Sequence, residues 1–278
     1  MIKDEFYTLS NGVKIPKIAF GTWQVKPGEE AYNSVTMALK NGYRHIDTAL
    51  AYENEESVGQ AIKDSKINRE ELFITTKLPS HIKGYKDTID AFNQSLKNLD
   101  CGYLDLYLIH APWPWSNVGQ DCVEGNIESW HAMIDLYNQG LIKAIGVSNF
   151  RESDIKPLID ATGFTPHVDQ IRFFIGNTQE PLYNYCVKNN ILIEAYSPLA
   201  TGNILKNEII QKIADKHNVT PAKVALRYCL ERKTLPLPKS THEERIIANL
   251  ELDFRLDDED MKELALVHDS NLDRPYRS

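Results

Sequence analysis

The sequence has no Cys-x-x-Cys pair, no long apolar run and no excess of positive charge. Its four cysteines, Cys101, Cys122, Cys186 and Cys229, are too few for a small secreted scaffold held by disulfides, and they read as free thiols in a reducing compartment. No window approaches the ~18 apolar residues of a membrane-spanning helix. The opening Met1-Ile2-Lys3-Asp4-Glu5 has no apolar signal core, so a cytoplasmic protein is expected. Lys and Arg number 31 against 39 Asp and Glu, a net charge of −8. That balance argues against nucleic acid or an anionic membrane as partner, since both need a cationic surface. An anionic cofactor would therefore need its own local cluster of bases. Low-complexity tracts and Gly/Ser linkers are missing too, which leaves residues 1–278 as one expected domain.

What the chain does have is ordinary globular composition, 42% hydrophobic and 25% charged, and a strict alternation of short apolar runs with amphipathic ones. Phe6–Leu9 and Val13–Ile15 flank Asn11-Gly12, a dipeptide that tolerates positive φ at both positions, and predict a hairpin. Eight strands follow at 18–20, 44–47, 72–76, 104–109, 144–147, 168–171, 192–196 and 235–237. Helical spacing fills the intervals at 29–41, 54–63, 86–98, 128–139, 153–161 and 180–189. A further helix, capped by Thr220 with Pro221 in its first turn, runs to Arg232. Two more, at 243–249 and 257–268, close the chain. Strands alternating with helices mean a parallel sheet. No Gly-x-Gly-x-x-Gly follows the first strand, so the doubly wound dinucleotide fold lacks its fingerprint. Eight repeats in roughly 250 residues predict an α/β fold, a (β/α)8 TIM barrel with an N-terminal β-hairpin.

In such a barrel, chemistry sits at the C-terminal strand ends. Asp47 ends the second strand, Tyr52 lies in the loop after it, Lys77 ends the third strand and His110 the fourth. Each has a plain alternative: a helix cap for Asp47, a solvated amine for Lys77, a satisfied core imidazole for His110. Four titratable groups at consecutive rim positions are harder to set aside. Together they suit carbonyl reduction, which needs hydride at carbon and a proton at oxygen. A phenol with pKa ~10 is a poor acid near neutrality, and a neighbouring ammonium favours its ionised form. Lys77 can supply that charge, Asp47 can hold Lys77, and His110 can bond the substrate oxygen.

Gly42-Tyr43-Arg44-His45-Ile46-Asp47-Thr48-Ala49-Leu50-Ala51-Tyr52-Glu53-Asn54-Glu55 resembles the first signature of the aldo-keto reductase family. Leu104–His110, Ala144–Phe150, Glu194–Leu199 and Pro238-Lys239-Ser240 resemble its fourth, fifth, seventh and eighth strands with their loops, so the likeness spans nearly the whole chain. The shortness of the chain is similar to bacterial diketogluconate and methylglyoxal reductases. The resemblance implies a catalytic set of Asp47, Tyr52, Lys77 and His110, with Tyr52 as general acid, and a nicotinamide cofactor across the barrel mouth. Ser148, Asn149 and Gln170 would bond its carboxamide, and Tyr196 would stack on the ring. Without the family, Tyr196 would read as a core aromatic closing a strand. Ser197 and Leu199 would line the pyrophosphate, with Gly21, Thr22 and Trp23 covering the cofactor from the other side. Lys239, Ser240 and Arg245 form the local cationic spot that an acidic protein needs. A helix starting near Glu243 would add free N–H groups for phosphate. The family places the 2′-phosphate of NADPH there, although Glu243 and Glu244 intervene, and Asn249 matches its adenine contact. The implied activity is NADPH-dependent reduction of aldehydes and ketones, with no metal.

The sequence departs from the family where Arg172-Phe173-Phe174-Ile175 follows Gln170, and where it offers only Ser270–Ser278, with Tyr276 and Arg277, in place of a long lid. An open pocket walled by Trp23, Tyr52, His110 and Trp113 is therefore expected, suited to small aldehydes, α-oxoaldehydes and diketo sugar acids. Trp115 either joins that wall or packs on the barrel exterior, the commoner fate. Two other classes compete. A metallohydrolase could use His45, Asp47 and His110, but the His-x-His ligand pair is missing. A cofactor-binding regulatory subunit with little turnover would keep the fold, yet all four reactive residues are present. A monomer or weak homo-oligomer is expected.

Overall fold

The chain opens with an antiparallel hairpin in the computed structural model, which describes residues 1–268. Strands β1 (Phe6–Thr8) and β2 (Lys14–Pro16) set Tyr7 opposite Ile15. Of Asn11-Gly12, only Gly12 takes a positive φ, +87°. The connection is thus not the two-residue turn that the dipeptide suggests. The Gly12 amide donates to Leu9 O at 2.8 Å and the Leu9 amide to Val13 O at 2.9 Å, giving a longer loop. Asn11 is used differently: its Nδ2 donates to Lys143 O at 3.0 Å and pins the hairpin to the barrel.

After the hairpin come β3 (Phe20–Gly21), α1 (Glu29–Lys40), β4 (His45–Asp47), α2 (Glu55–Asp64), β5 (Phe73–Leu78), α3 (Tyr85–Leu99) and β6 (Leu104–Ile109). The alternation continues with α4 (Val123–Asn138), β7 (Ile142–Ser148), α5 (Glu152–Thr162), β8 (Val168–Arg172), α6 (Glu180–Lys188) and β9 (Leu192–Tyr196). The chain ends in α7 (Glu208–Lys216), α8 (Pro221–Glu231), β10 (Leu235–Leu237), α9 (Glu243–Ala248) and α10 (Asp258–Leu264). Strands β3 to β10 form one sheet in sequence order, every neighbouring pair parallel. The first and last strands meet: Ala19 N donates to Pro236 O at 3.2 Å and Gly21 N to Pro238 O at 3.1 Å. Those two bonds close the barrel.

Two apolar layers hold it. Helices pack on the outward strand faces through Phe92, Trp130, Ile145, Ile171 and their neighbours. Inside, Phe73, Leu106, Leu108, Ala144, Val168 and Leu235 pack against Leu9 and Ile15 of the hairpin. Several of these residues lie at strand starts, so the hairpin plugs the N-terminal end and leaves the C-terminal rim open for chemistry. The interior is tight. A Cβ at Gly146 would lie 2.5 Å from Val168 O and 2.8 Å from Leu108 Cδ2.

Helix α7 is absent from the sequence reading. Asn207 caps it, accepting from the amides of Ile209 and Ile210, and Ile210, Ile213 and Ala214 bury one face. That cap and stripe were the available signal. Helix α4 begins five residues before Glu128, at Val123, and β5 runs on through Leu78. Lys77 therefore stands inside the strand and not after it. Among the described residues no helix is long and apolar enough to cross a membrane.

Candidate active site

Strand alternation sends Lys77 into the barrel, where it is fully buried. An ammonium cannot stay there unpaired. Its Nζ donates to Asp47 Oδ1 at 2.6 Å and to Thr48 O at 2.8 Å, both at the end of β4. Burial alone would lower the Lys77 pKa. The carboxylate of Asp47 and the phenol of Tyr52 outweigh it, and the net direction is up, so the amine remains an ammonium. Asp47 is in turn fixed from its other side, since Gln170 Nε2 donates to Oδ2 at 2.8 Å.

Tyr52 sits half-buried in a single helical turn, Leu50–Tyr52, directly after β4. The Lys77 ammonium lies 5.2 Å from the centre of its ring. Its hydroxyl is 3.5 Å from His110 Nε2, and the two rings meet edge to face at 5.5 Å. The ammonium does favour the ionised phenol, as expected, but it does not set the net direction. Burial raises the Tyr52 pKa by more than Lys77 lowers it, and Asp47 adds to the rise. The phenol is thus held protonated, with the ammonium reducing the cost of losing the proton. Burial and the Lys77 charge push His110 down to about 3, so its imidazole is neutral. His110 Nδ1 is buried with no hydrogen-bond partner among the described residues.

The remaining rim residues form a connected frame. Thr22 donates through Oγ1 to Asp47 O at 3.1 Å. Asn54 is buried and donates to the carbonyls of Thr22 and Val25, both at 3.1 Å, while accepting from Thr48 Oγ1 at 2.8 Å. Ser148 Oγ donates to Gln170 O at 2.8 Å. Asn149, in left-handed backbone with φ +62°, donates to His110 O at 2.9 Å and accepts from Tyr196 OH at 2.7 Å. The carboxamide candidates are therefore tied to the proton-handling pair. Sequence reasoning gave no role to Asn54 or to Glu194, which accepts from Gln170 Nε2 at 2.7 Å deep in the barrel. The signal for Glu194 was a charged residue in an inward-facing strand position.

Farther round the rim, Ser197 takes a positive φ of +50°, and Leu199 is half-buried against the outer core. Gly21 and Thr22 are buried at the end of β3, and Trp23 is 46% exposed. Lys239 and Arg245 are exposed beyond β10, and Asn249 is buried at the end of α9. The expected help from a helix N-terminus needs correction. Helix α9 has only six residues with Glu243 and Glu244 in its first turn, which leaves little favourable dipole for an anion. The hydroxyl of Ser240 is also engaged locally, accepting from His242 N at 3.0 Å. The cationic spot rests on the two side chains. Glu243 does not neutralise them directly, since its carboxylate accepts from Asn41 at 3.2 Å and lies 3.9 Å from Lys40.

Residues 17–268 match the model of the Aldo/keto reductase family. The chain belongs to the aldo/keto reductase family. It is 45% identical over 261 residues to the glyoxal reductase of Bacillus subtilis (strain 168), covering 94% of this chain and 91% of that protein. The solved structure of MGS-M4, an aldo-keto reductase from a Medee basin deep-sea metagenome library, has 42% identity and a TM-score of 0.90, with 98% of this chain and 97% of that one covered. A variant of Gox0644, solved in complex with NADPH, has 36% identity and a TM-score of 0.89, covering 98% and 96%.

The pocket of this aldo/keto reductase differs from the sequence expectation at Trp115. Its ring lies 6.3 Å from His110 at 87° and 4.9 Å from Trp113, so it stands at the site and not on the exterior. The Trp115 amide donates to Ser80 Oγ at 3.2 Å, which folds the proline-rich loop back over the rim. Lys83 supports the same loop by donating to Ala111 O at 2.8 Å. Arg172 ends β8 half-buried, its guanidinium 5.2 Å from the centre of the Phe174 ring. Tyr276, Arg277 and the rest of Ser270–Ser278 lie outside the described residues.

Proposed function

We propose that this enzyme reduces small aldehydes and α-oxoaldehydes to alcohols with NADPH, Tyr52 donating the proton. The observation that carries the reading is the buried Lys77–Asp47 pair, 2.6 Å apart, under a phenol whose hydroxyl faces a neutral imidazole. The residues round the mouth suit a dinucleotide. Tyr196 offers a half-buried ring, Asn149 and Gln170 offer amides beside it, and Lys239 and Arg245 place positive charge at the far end of an acidic protein. When bound, NADPH supplies the hydride for the carbonyl carbon.

The protein's own residues then handle the oxygen. Tyr52 OH and His110 Nε2 lie 3.5 Å apart, close enough for one carbonyl oxygen to meet both and accept from the phenol. His110, being neutral, serves as a hydrogen-bond donor or acceptor without competing as an acid. As the phenol gives up its proton, the Lys77 ammonium stabilises the phenolate left behind. Asp47 keeps the ammonium in position through this change. Trp23, Trp113 and Trp115 offer apolar surface at the mouth, which suits small carbonyls taken in their free, unhydrated form. Likeness to a glyoxal reductase supports the α-oxoaldehyde class.

The direct test is NADPH consumption with glyoxal and methylglyoxal. Turnover of both is expected. Tight NADPH binding without turnover across a broad aldehyde panel would contradict the reading and favour a regulatory subunit. The cofactor preference has its own test in Arg245→Ala. Loss of a charge-assisted phosphate contact, typically ~1.5–3 kcal/mol, should raise the KM for NADPH at least roughly tenfold and leave that for NADH nearly unchanged. Equal effects on both would remove Arg245 from the phosphate site.

A further inference from the structure

Glu194 has no part in the chemistry derived so far, yet its surroundings are unusual for a carboxyl. It is fully buried in the barrel interior, on β9, opposite Gln170 of β8 and Leu235 of β10. Across the barrel it faces His45 and Asp47 of β4 and Lys77 of β5. Its Oε2 accepts from Gln170 Nε2 at 2.7 Å. Its Oε1 has no hydrogen-bond partner among the described residues, with His45 Nε2 3.9 Å away. That imidazole is neutral, its pKa pushed down to about 3 by burial and by Lys77, and its Nε2 is shared with Thr75 Oγ1 at 2.8 Å.

The consequence falls on Gln170. A primary amide has two hydrogens and one oxygen. Both hydrogens are committed, one to Asp47 Oδ2 and one to Glu194 Oε2. Turning the amide over would set its oxygen against the Asp47 carboxylate and is disfavoured. The amide oxygen takes no hydrogen bond from the described residues, so it remains as an acceptor. We propose that Glu194 is a positioning residue, whose carboxyl fixes the Gln170 amide so that its oxygen alone receives the carboxamide N–H of the nicotinamide. This rests on the reading that Gln170 contacts the cofactor.

Burial and the nearby Asp47 charge raise the Glu194 pKa to about 8. Glu194 is therefore mainly neutral at neutral pH and gains a negative charge as pH rises through that value. A buried negative charge close to a bound nicotinamide would favour the cationic, oxidised form over the neutral, reduced one.

The test measures NADPH and NADP+ dissociation constants by tryptophan quenching on wild type, E194Q, E194L, Q170L and E194L/Q170L, each first checked for folding by circular dichroism. E194L is expected to weaken NADPH roughly tenfold, the scale of one buried hydrogen bond lost with its partner left unpaired. E194Q keeps an acceptor oxygen and should stay within about twofold. The double variant should be no weaker than Q170L, because the two residues act as one unit. If Q170L binds like wild type, the reading of Gln170 has failed. If Q170L weakens binding and E194L does not, or the two effects add, the positioning role of Glu194 is overturned. Where E194L does not fold, E194Q carries the test. The ratio of the NADP+ to the NADPH constant should fall several-fold from about pH 7 to about pH 9 in wild type and stay level in E194Q. A ratio that moves equally in both removes Glu194 from the cofactor's surroundings.

Discussion

Tyr52→Phe is expected to lower kcat for aldehyde reduction by about 10²–10⁴, the usual worth of general acid catalysis, while leaving NADPH affinity and thermal stability close to those of the wild type. The substitution deletes one oxygen. That oxygen meets His110 Nε2 at a long 3.5 Å and interacts with the Lys77 ammonium, which keeps its pairing to Asp47 and Thr48 O without it, so little folding energy goes with the oxygen. The ring itself remains, and with it the edge contact to His110 and the neighbouring Lys77 ammonium. The cofactor candidates Asn149, Gln170 and Tyr196 are held by bonds in which Tyr52 has no share. Pre-steady-state NADPH oxidation separates the steps: binding should be normal and the hydride step slow. A variant with wild-type turnover would move the proton donor elsewhere.

Lys77→Met should damage both activity and stability. The lysine side chain is fully enclosed, and methionine of similar length can fill the space. What it cannot do is answer Asp47. That carboxylate would keep Gln170 as a donor but lose the 2.6 Å ammonium, with the Glu194 carboxyl beyond the same amide. Breaking a buried pair from one side typically costs ~3–5 kcal/mol. Denaturant unfolding should therefore show a large loss, in contrast to Tyr52→Phe. Turnover should fall with Tyr52 still in place, because the phenolate would form without a neighbouring positive charge. Unchanged stability would mean that Asp47 finds another partner, and unchanged turnover would mean that the ammonium takes no part in proton transfer.

Much of this site was legible in the sequence, and the reason is the barrel rule. Once eight strands are counted, strand ends share one rim, so Asp47, Lys77 and His110 converge without any knowledge of contacts. The fold was legible for the same reason, since hydrophobic period and capping residues such as Thr220 are local properties. What escaped depends on which way side chains turn inside a closed barrel. Glu194 lies in an apolar strand and shows its importance only through Gln170 across the interior. Trp115 lies in a proline-rich loop whose path is set by bonds from distant residues, among them Ser80, Lys83 and Asn126. The direction of the Tyr52 shift required a balance between burial and charge, and no sequence states how buried a loop phenol will be. Helix α7 is short and its Asn207 cap has no proline behind it, so its start is less marked in the sequence than that of α8 at Thr220-Pro221.

The identity of the proton donor is tested most directly by the pH dependence of kcat/KM for aldehyde reduction, in wild type and in His110→Gln. Reduction needs a protonated donor. Burial holds the Tyr52 phenol above its ordinary value of ~10. Activity should therefore persist through the weakly acid and neutral range and decline only as the medium becomes alkaline. His110, pushed down to about 3, contributes no proton in that range. An inflection near ~6.5, the ordinary histidine value, that disappears in His110→Gln would show an imidazolium acting as the acid and would contradict the account.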